Sequence, residues 1–254
     1  MTRKIILSGC MGRMGKAITE LVENKNDFTI IAGIDIVDNP AASFPVYKNI
    51  TDVKEKADVI IDFSNSSSLD SLLSFAKATA TPLVLCTTGY TDEQIEKIKE
   101  TSKSVPVFFS FNMSLGVNLL ISLSKKAATI LGDGYDIEII EKHHNQKLDA
   151  PSGTAIMIAN AIDDSKQNKM QYEFDRHSKR QKRGKNEIGI HSVRGGTIVG
   201  EHEVIFAGDD EIISISHSAS SRRIFAVGAL RAADFLAKTN ESNLYNMDDV
   251  IASL

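Results

Sequence analysis

The sequence predicts an α/β protein in two parts: an N-terminal domain on a parallel sheet and a C-terminal α+β domain. Three observations carry that expectation. Strand-like and helix-like segments alternate through the first half of the chain. A glycine-rich turn, Gly9 to Gly15, sits at the first strand-to-helix passage. Beyond about Asn112 the strand-like runs cluster late, with few helices between them. Regular alternation implies βαβ units whose parallel strands are covered on both faces, and late clustering implies a separate α+β unit.

The elements follow in order. Ile5-Ile6-Leu7 is a short apolar run that ends in the glycine turn. From about Gly12 to Glu23, Met14, Ala17, Ile18, Leu21 and Val22 recur at helical spacing. Phe28 to Ile34, Asp58 to Phe63, Leu83 to Cys86 and Val105 to Phe109 read as strands. Between them, Ser67 to Ala80 reads as a helix, and Thr91-Asp92-Glu93 caps another that runs to about Lys99. In the second part a helix at about Val117 to Ile130 precedes a strand at Tyr135 to Glu141, and a helix follows Pro151 to about Ile162. A polar stretch, Asp163 to Asn186, leads to β-like runs at Ile188 to Val193, Thr197 to Phe206 and Glu211 to Ser218, and Ile224 to Leu236 is a final helix.

The 254 residues carry 29 Lys and Arg against 33 Asp and Glu, a formal charge of −4, with 42% hydrophobic and 24% charged residues. That balance excludes a disordered chain and gives no reason to expect a nucleic-acid partner. The two cysteines, Cys10 and Cys86, make neither a disulfide scaffold nor a zinc spacing. No run approaches a membrane span, and Ile5-Ile6-Leu7 is too short for a signal peptide, so a cytoplasmic protein is expected.

Gly9-Cys10-Met11-Gly12-Arg13-Met14-Gly15 lies between a strand and a helix. Gly9 permits the tight turn, Gly12 admits a pyrophosphate to the backbone, and Gly15 lets helix and strand pack closely; the helix N-terminus then faces the phosphates. Asp35, 20 residues beyond Gly15, stands where an acid accepts from the adenine ribose hydroxyls. A carboxylate there repels a 2′-phosphate, and Ile36 follows it rather than an arginine, so NADH is predicted over NADPH. Arg13 and Lys16 are the loop cations that could reach such a phosphate.

The stretch from Glu138 to Ala155 carries the chemistry. His143 and His144 would point to opposite faces of a strand, or about 100° apart on a helix, so they do not chelate one ion and no metal is expected. Two histidines, Lys147 and a helix start at Pro151-Ser152, with Gly153 and Thr154 in its first turn, converge within a dozen residues. Imidazole, ammonium and a helix N-terminus together suit proton transfer to an acidic small molecule whose carboxylates they hold.

The string E-x-x-E-x-H-H-x-x-K-x-D-A-P-S-G-T-A from Glu138 to Ala155 resembles the signature of the 4-hydroxy-tetrahydrodipicolinate (dihydrodipicolinate) reductase family. Gly12 to Gly15, Asp62-Phe63-Ser64, Thr87-Thr88-Gly89 and Arg194 to His202 resemble further family motifs, so the likeness runs from the first strand to the last helix. Cys86 departs from the family's usual glycine and Met113 from its frequent phenylalanine.

The resemblance implies an N-terminal Rossmann dinucleotide-binding domain, residues 1–112 rejoined by 222–254, and a substrate-binding and tetramerisation domain, residues 113–221. It implies an NAD(P)H-dependent reductase of lysine biosynthesis by the diaminopimelate route, assembled as a homotetramer through the sheet of the second domain. Gly9, Cys10, Met11, Gly12, Arg13 and Met14 would hold the pyrophosphate and Asp35 the ribose. Phe63, Cys86, Thr87, Thr88, Ser110, Phe111, Asn112 and Met113 would complete the cofactor site. His144, Gly153 and Thr154 would bind the substrate carboxylates, and His143 and Lys147 would divide proton donation and charge stabilisation. A cofactor-sensing binding protein is the competing class, and it does not require Lys147. The basic run Arg176 to Lys185 reads as a solvated loop, with a nucleic-acid patch or attraction of a dianion as alternatives. His191, His202 and His217 read as structural, with Arg194 and His202 placed to support the site.

Overall fold

The computed structural model describes residues 2–24, 26–37, 39, 41–166 and 168–254. Gln167, inside the polar stretch, lies outside them. In chain order the elements are β1 (Arg3–Ser8), α1 (Arg13–Glu23), β2 (Phe28–Ile34), β3 (Val46–Tyr47), β4 (Val59–Asp62), α2 (Leu69–Thr79), β5 (Leu83–Leu85), α3 (Asp92–Ser102), β6 (Val107–Phe109), α4 (Leu115–Leu131), β7 (Asp136–His143), α5 (Gly153–Asp163), β8 (Gln171–Glu173), β9 (Glu187–Arg194), β10 (Gly200–Ala207), β11 (Ile212–Ala219), α6 (Arg223–Leu236), β12 (Leu244–Tyr245) and α7 (Met247–Ala252). They form two compact units, Met1–Ser114 with Arg223–Leu254, and Leu115–Arg222.

The first unit is a seven-stranded sheet in the order β12-β6-β5-β4-β1-β2-β3, with every pair parallel. The chain runs outward from β1 through β2 to β3, then returns to the other side of β1 as β4. The crevice at the carboxyl ends of β1 and β4 is therefore the topological switch point, where such sheets bind ligands. β4 and β5 are buried along their length, as helices on both faces require. α1 buries Gly15, Ile18, Leu21 and Val22 at helical spacing. The predicted helix at Ser67 begins as a 3-10 turn, Ser66–Ser68, and becomes α-helical at Leu69. Thr91 caps α3 in a reciprocal capping box with Gln94.

The second unit is a mixed sheet in the order β11-β10-β7-β9-β8. β7 is antiparallel to β10 and parallel to β9, and β10 is antiparallel to β11. The register stacks the core face in rows. Phe206, Ile137 and Ile188 form one, and Val204, Ile139 and Ile190 the next. Both rows pack with Leu120 and Ala128 of α4 and Ile158 and Ile162 of α5. One step further the same face carries His202, Glu141 and Ser192, then His143 beside Arg194. The two-residue period of a strand thus carries an apolar face directly into a polar one.

β3, β8, β12 and α7 were not predicted. The three strands are two or three residues long and too short to show a period; each is added at a sheet edge by register with a longer neighbour.

In the first unit, α6 crosses the 110–114 segment at Gly228, where a Cβ would fall 1.6 Å from the Met113 carbonyl oxygen. Backbone cannot yield as a side chain can. Gly228→Ala is expected to lower stability by about 1–3 kcal/mol, read as a lower urea midpoint with an unchanged m-value.

Candidate functional site

The glycine turn closes over the end of β1. Gly9 has φ +75°, and a Cβ there would meet the Phe63 carbonyl oxygen at 2.5 Å; one on Gly15 would meet the Gly9 carbonyl oxygen at 2.3 Å. Only glycine fits either position. Gly12 stands at the N-cap of α1 in extended conformation, with no side-chain hydrogen bond capping the helix. Asp35 follows β2 directly and accepts from the N–H of Met11 (2.9 Å) and of Val37 (3.1 Å), so the acid also holds the turn in place.

Two adjoining clefts open here. One of about 870 Å3 is lined by Gly9, Met11, Gly12, Asp35, Ile36, Lys48 and Phe63, among others. One of about 580 Å3 is lined by Arg13, Met14, Phe63, Cys86, Thr87, Thr88 and the segment Ser110, Phe111, Asn112 and Met113. Phe63 borders both. Cys10 lines neither: its thiol packs on Gly33, where a Cβ would be 2.6 Å from Sγ. Burial, with the Asp35 charge adding, pushes that thiol up to about 11.

Beneath the second cleft lies Asp62, fully buried at the end of β4. Thr87 Oγ1 donates to one carboxylate oxygen at 2.7 Å; the Ser64 hydroxyl and N–H donate to the other at 2.5 and 3.1 Å. Burial pushes its pKa above the ordinary value, against those hydrogen bonds. Asp62 thereby straps the 62–64 turn to the Thr87 loop.

In the second unit the chemistry gathers around Glu141. Its Oε2 lies 2.6 Å from His143 Nδ1, and its two oxygens accept from Arg194 Nη1 and Nη2 at 2.8 and 2.7 Å. Its Oε1 also accepts the Ser152 N–H at 3.1 Å. Burial alone would raise the Glu141 pKa, but the hydrogen bonds from Arg194, Ser192, His143 and Ser152 outweigh it and hold it at about 2. Ser152 caps α5, its Oγ accepting from the Ala155 N–H at 3.2 Å and lying 3.0 Å from His202 Nε2. Pro151, predicted at the helix start, lies just before this cap. Gly153 and the half-buried Thr154 open the first turn.

His143 ends β7 and its ring meets that of His202 edge-on at 5.3 Å between centroids. Burial pushes the His143 pKa below its ordinary value, against the pull of Glu141. Burial, helped by the His143 charge, pushes His202 down to about 4. His144 follows the strand end and its carbonyl accepts the Lys147 N–H at 3.1 Å. Lys147 Nζ pairs with Asp149 at 2.9 Å, and Arg194 Nη2 donates to the Asp149 carbonyl at 2.6 Å.

So the structure brings His143, His144, Lys147, Gly153 and Thr154 onto one strand end, one turn and one helix start. Sequence reasoning missed Glu141 as their hub, along with Asp62 and Lys48, and read Ser152 only as part of a helix start. The period-two burial of β7 was the available signal for Glu141. The basic run is not simply solvated. Arg183 donates to Asp136, Glu138 and the Ile137 and Glu187 carbonyls, Arg176 to Glu187, and Lys179 to Glu173. Among the described residues, no group of three or more His, Cys, Asp or Glu could hold a metal ion, and no helix is long and apolar enough to cross a membrane.

Comparison with known proteins bears on both units. A family model described as dihydrodipicolinate reductase, N-terminus, matches residues 3–113, and one described as dihydrodipicolinate reductase, C-terminus, matches residues 116–251. The 4-hydroxy-tetrahydrodipicolinate reductase of Clostridium novyi (strain NT) is 54% identical, over 98% of each chain. That of Caldanaerobacter subterraneus subsp. tengcongensis is 50% identical over 99% of each. Among solved structures, the dipicolinate-bound dihydrodipicolinate reductase from Paenisporosarcina sp. TG-14 matches with a TM-score of 0.83 at 25% identity, over 97% of this chain and 98% of that one.

Glu141 and His202 both have folded pKa values depressed below their ordinary values of 4.5 and 6.5, to about 2 and about 4. The unfolded chain therefore binds more protons over these ranges, and stability rises with pH across them. Urea unfolding is expected to show stability falling as pH drops from 6.5 toward 4, and further toward 2. His202→Gln should flatten the upper limb.

Proposed function

The chain belongs to the dihydrodipicolinate reductase family, and from that membership we propose that it reduces 4-hydroxy-tetrahydrodipicolinate to tetrahydrodipicolinate, in the diaminopimelate route to lysine. NADH is the preferred cofactor and NADPH the second. The reading includes a cytoplasmic homotetramer built through the second unit's sheet; β11, an eight-residue edge strand with Ile212 exposed, supports that assembly. The observation that carries the activity is the Glu141 hub, which presents a histidine, a lysine turn and a helix N-terminus together.

The first unit fits a dinucleotide. A Cβ would fill the turn at Gly9 and Gly15, and the α1 N-terminus carries the partial positive charge that suits a pyrophosphate. Asp35 faces the larger cleft as the acceptor for ribose hydroxyls and disfavours a 2′-phosphate. Lys48 lines the same cleft and supplies the cation by which NADPH is still accepted. Arg13 lines the other cleft instead. Cys86, Thr87, Thr88 and the 110–113 segment form the nicotinamide end. When bound, the nicotinamide supplies hydride to carbon 4 of the dehydrated, conjugated substrate; overall one reduced cofactor and one proton are consumed, and water leaves.

The second unit holds the substrate and handles the proton. His144, Gly153 and Thr154 receive the two carboxylates, aided by the α5 N-terminus. Lys147 supplies a compact positive charge where negative charge develops. His143 has its Nδ1 engaged by Glu141, so Nε2 is the exchanging atom. Gly200 stands beside it, where a Cβ would come within 3.1 Å of Nε2. Burial keeps the imidazole neutral near pH 7 in the free protein, and a bound dianion favours its protonated form.

The test is a coupled assay in which the upstream synthase makes substrate from pyruvate and aspartate semialdehyde, while absorbance at 340 nm follows each cofactor. Substrate-dependent oxidation is expected, faster with NADH. Lys147→Ala should lower turnover by at least about 100-fold while NADH binding stays within twofold; unchanged turnover sinks the reading. Lys48→Ala should raise KM for NADPH and spare that for NADH.

A further inference from the structure

Donors from three separate elements converge on one buried carboxylate beside the histidine. Glu141 is fully buried. One oxygen, Oε2, is shared by His143 Nδ1 and Arg194 Nη1, and the other, Oε1, by the Ser152 N–H and Arg194 Nη2. Arg194 is itself anchored by donating to the Val193 and Asp149 carbonyls. We propose that Glu141, clamped by Arg194, is a positioning residue that fixes the imidazole of His143 and the anion-binding turn of α5 in a single register.

The argument is geometric. A carboxylate can only accept, so the atom it faces on His143 must carry a proton. Nδ1–H is therefore the protonated nitrogen of the neutral ring, and Nε2 is left for exchange with substrate. The second oxygen reaches Ser152, the cap of α5, so Gly153 and Thr154 cannot shift without moving the group that orients His143. Arg194 spans both oxygens in a fork, which prevents the carboxylate from rotating to favour one partner. The groups facing the His143 ring are Glu141, Arg194, Lys147 and His202. Of these, only Lys147 has another role in the proposed chemistry. This inference rests on the reading of His143 as the proton-transferring group.

Nitrogen-15 NMR of the histidine rings tests it in the unmodified protein at pH 8, with the His143 signal assigned from a His143→Gln variant. The Nδ1–H form is expected; a dominant Nε2–H form overturns the proposal, and this reading depends on no altered core. Glu141→Gln then supplies the functional arm. Its amide cannot accept from all of these donors at once. It should mix the two ring forms, lower kcat about 10–100-fold and weaken binding of pyridine-2,6-dicarboxylate about tenfold, with NADH affinity within twofold. If kcat and dicarboxylate affinity both stay within twofold of the parent, the proposal falls. Arg194→Lys, which keeps the charge and loses the fork, should retain the Nδ1–H form with a smaller loss of kcat. An unmodified protein inactive in the coupled assay would instead sink the proposed function, and the ring form and dicarboxylate binding would still decide this inference.

Discussion

The second unit is organised by the cost of burying one carboxylate. Removing a carboxylate from water costs several kcal/mol unless its lone pairs are matched and its charge compensated. Glu141 meets that cost with partners at the ends of three elements. His143 closes β7, Arg194 closes β9 and Ser152 caps α5. Losing one partner of such a buried pair typically costs about 3–5 kcal/mol, so the three ends move together or not at all. The loop between His143 and Ser152 is consequently held at both ends and again at Asn145, whose N–H meets the Gly196 carbonyl. Lys147 sits on that loop, and its position follows from the held ends of the loop as well as from its own contacts to the His144 carbonyl and Asp149.

The first unit buries a carboxylate too and solves the problem differently. Asp62 is met by Ser64 and Thr87 with no cation among its partners. The consequence is opposite in sign: burial dominates and its pKa rises, where Arg194 and its fellow donors depress that of Glu141. The difference suits the two sites. A fixed guanidinium beneath the cleft would place a permanent charge there. Hydroxyl donors strap the two cleft-lining loops together without adding charge. In the second unit the guanidinium offsets Glu141, so that the carboxylate orients His143 without making it strongly basic.

What could be read from the sequence was what local chemistry forces on single positions. The glycines at 9 and 15 are required by backbone approaches of 2.5 and 2.3 Å, and their spacing before a helix showed it. The long amphipathic helices and the central strands announced themselves by period. Ser152, Gly153 and Thr154 read as a helix start because caps have a composition. Edge strands of two or three residues left no period to read. α7 carried a capping box at Asn246 and Asp249, a signal present but not used. Cys10 lay inside the glycine motif yet turns its thiol into the core, because motif membership fixes the backbone path and not where each side chain points.

The Glu141 hub was hidden for a different reason: Arg194 stands 53 positions from Glu141, and only strand register makes the two neighbours. That same register is enforced twice. A one-residue slip of β9 against β7 would turn Ile188 and Ile190 away from the apolar rows and carry Ser192 and Arg194 to the opposite face. The slip would expose two apolar side chains and, at the same moment, leave Glu141 buried without its cation. Hydrophobic burial and charge compensation thus select the same pairing. The arrangement that builds the core is therefore also the one that sets Glu141 and Arg194 against His143, and a chain folded well enough to be stable arrives with that imidazole already held.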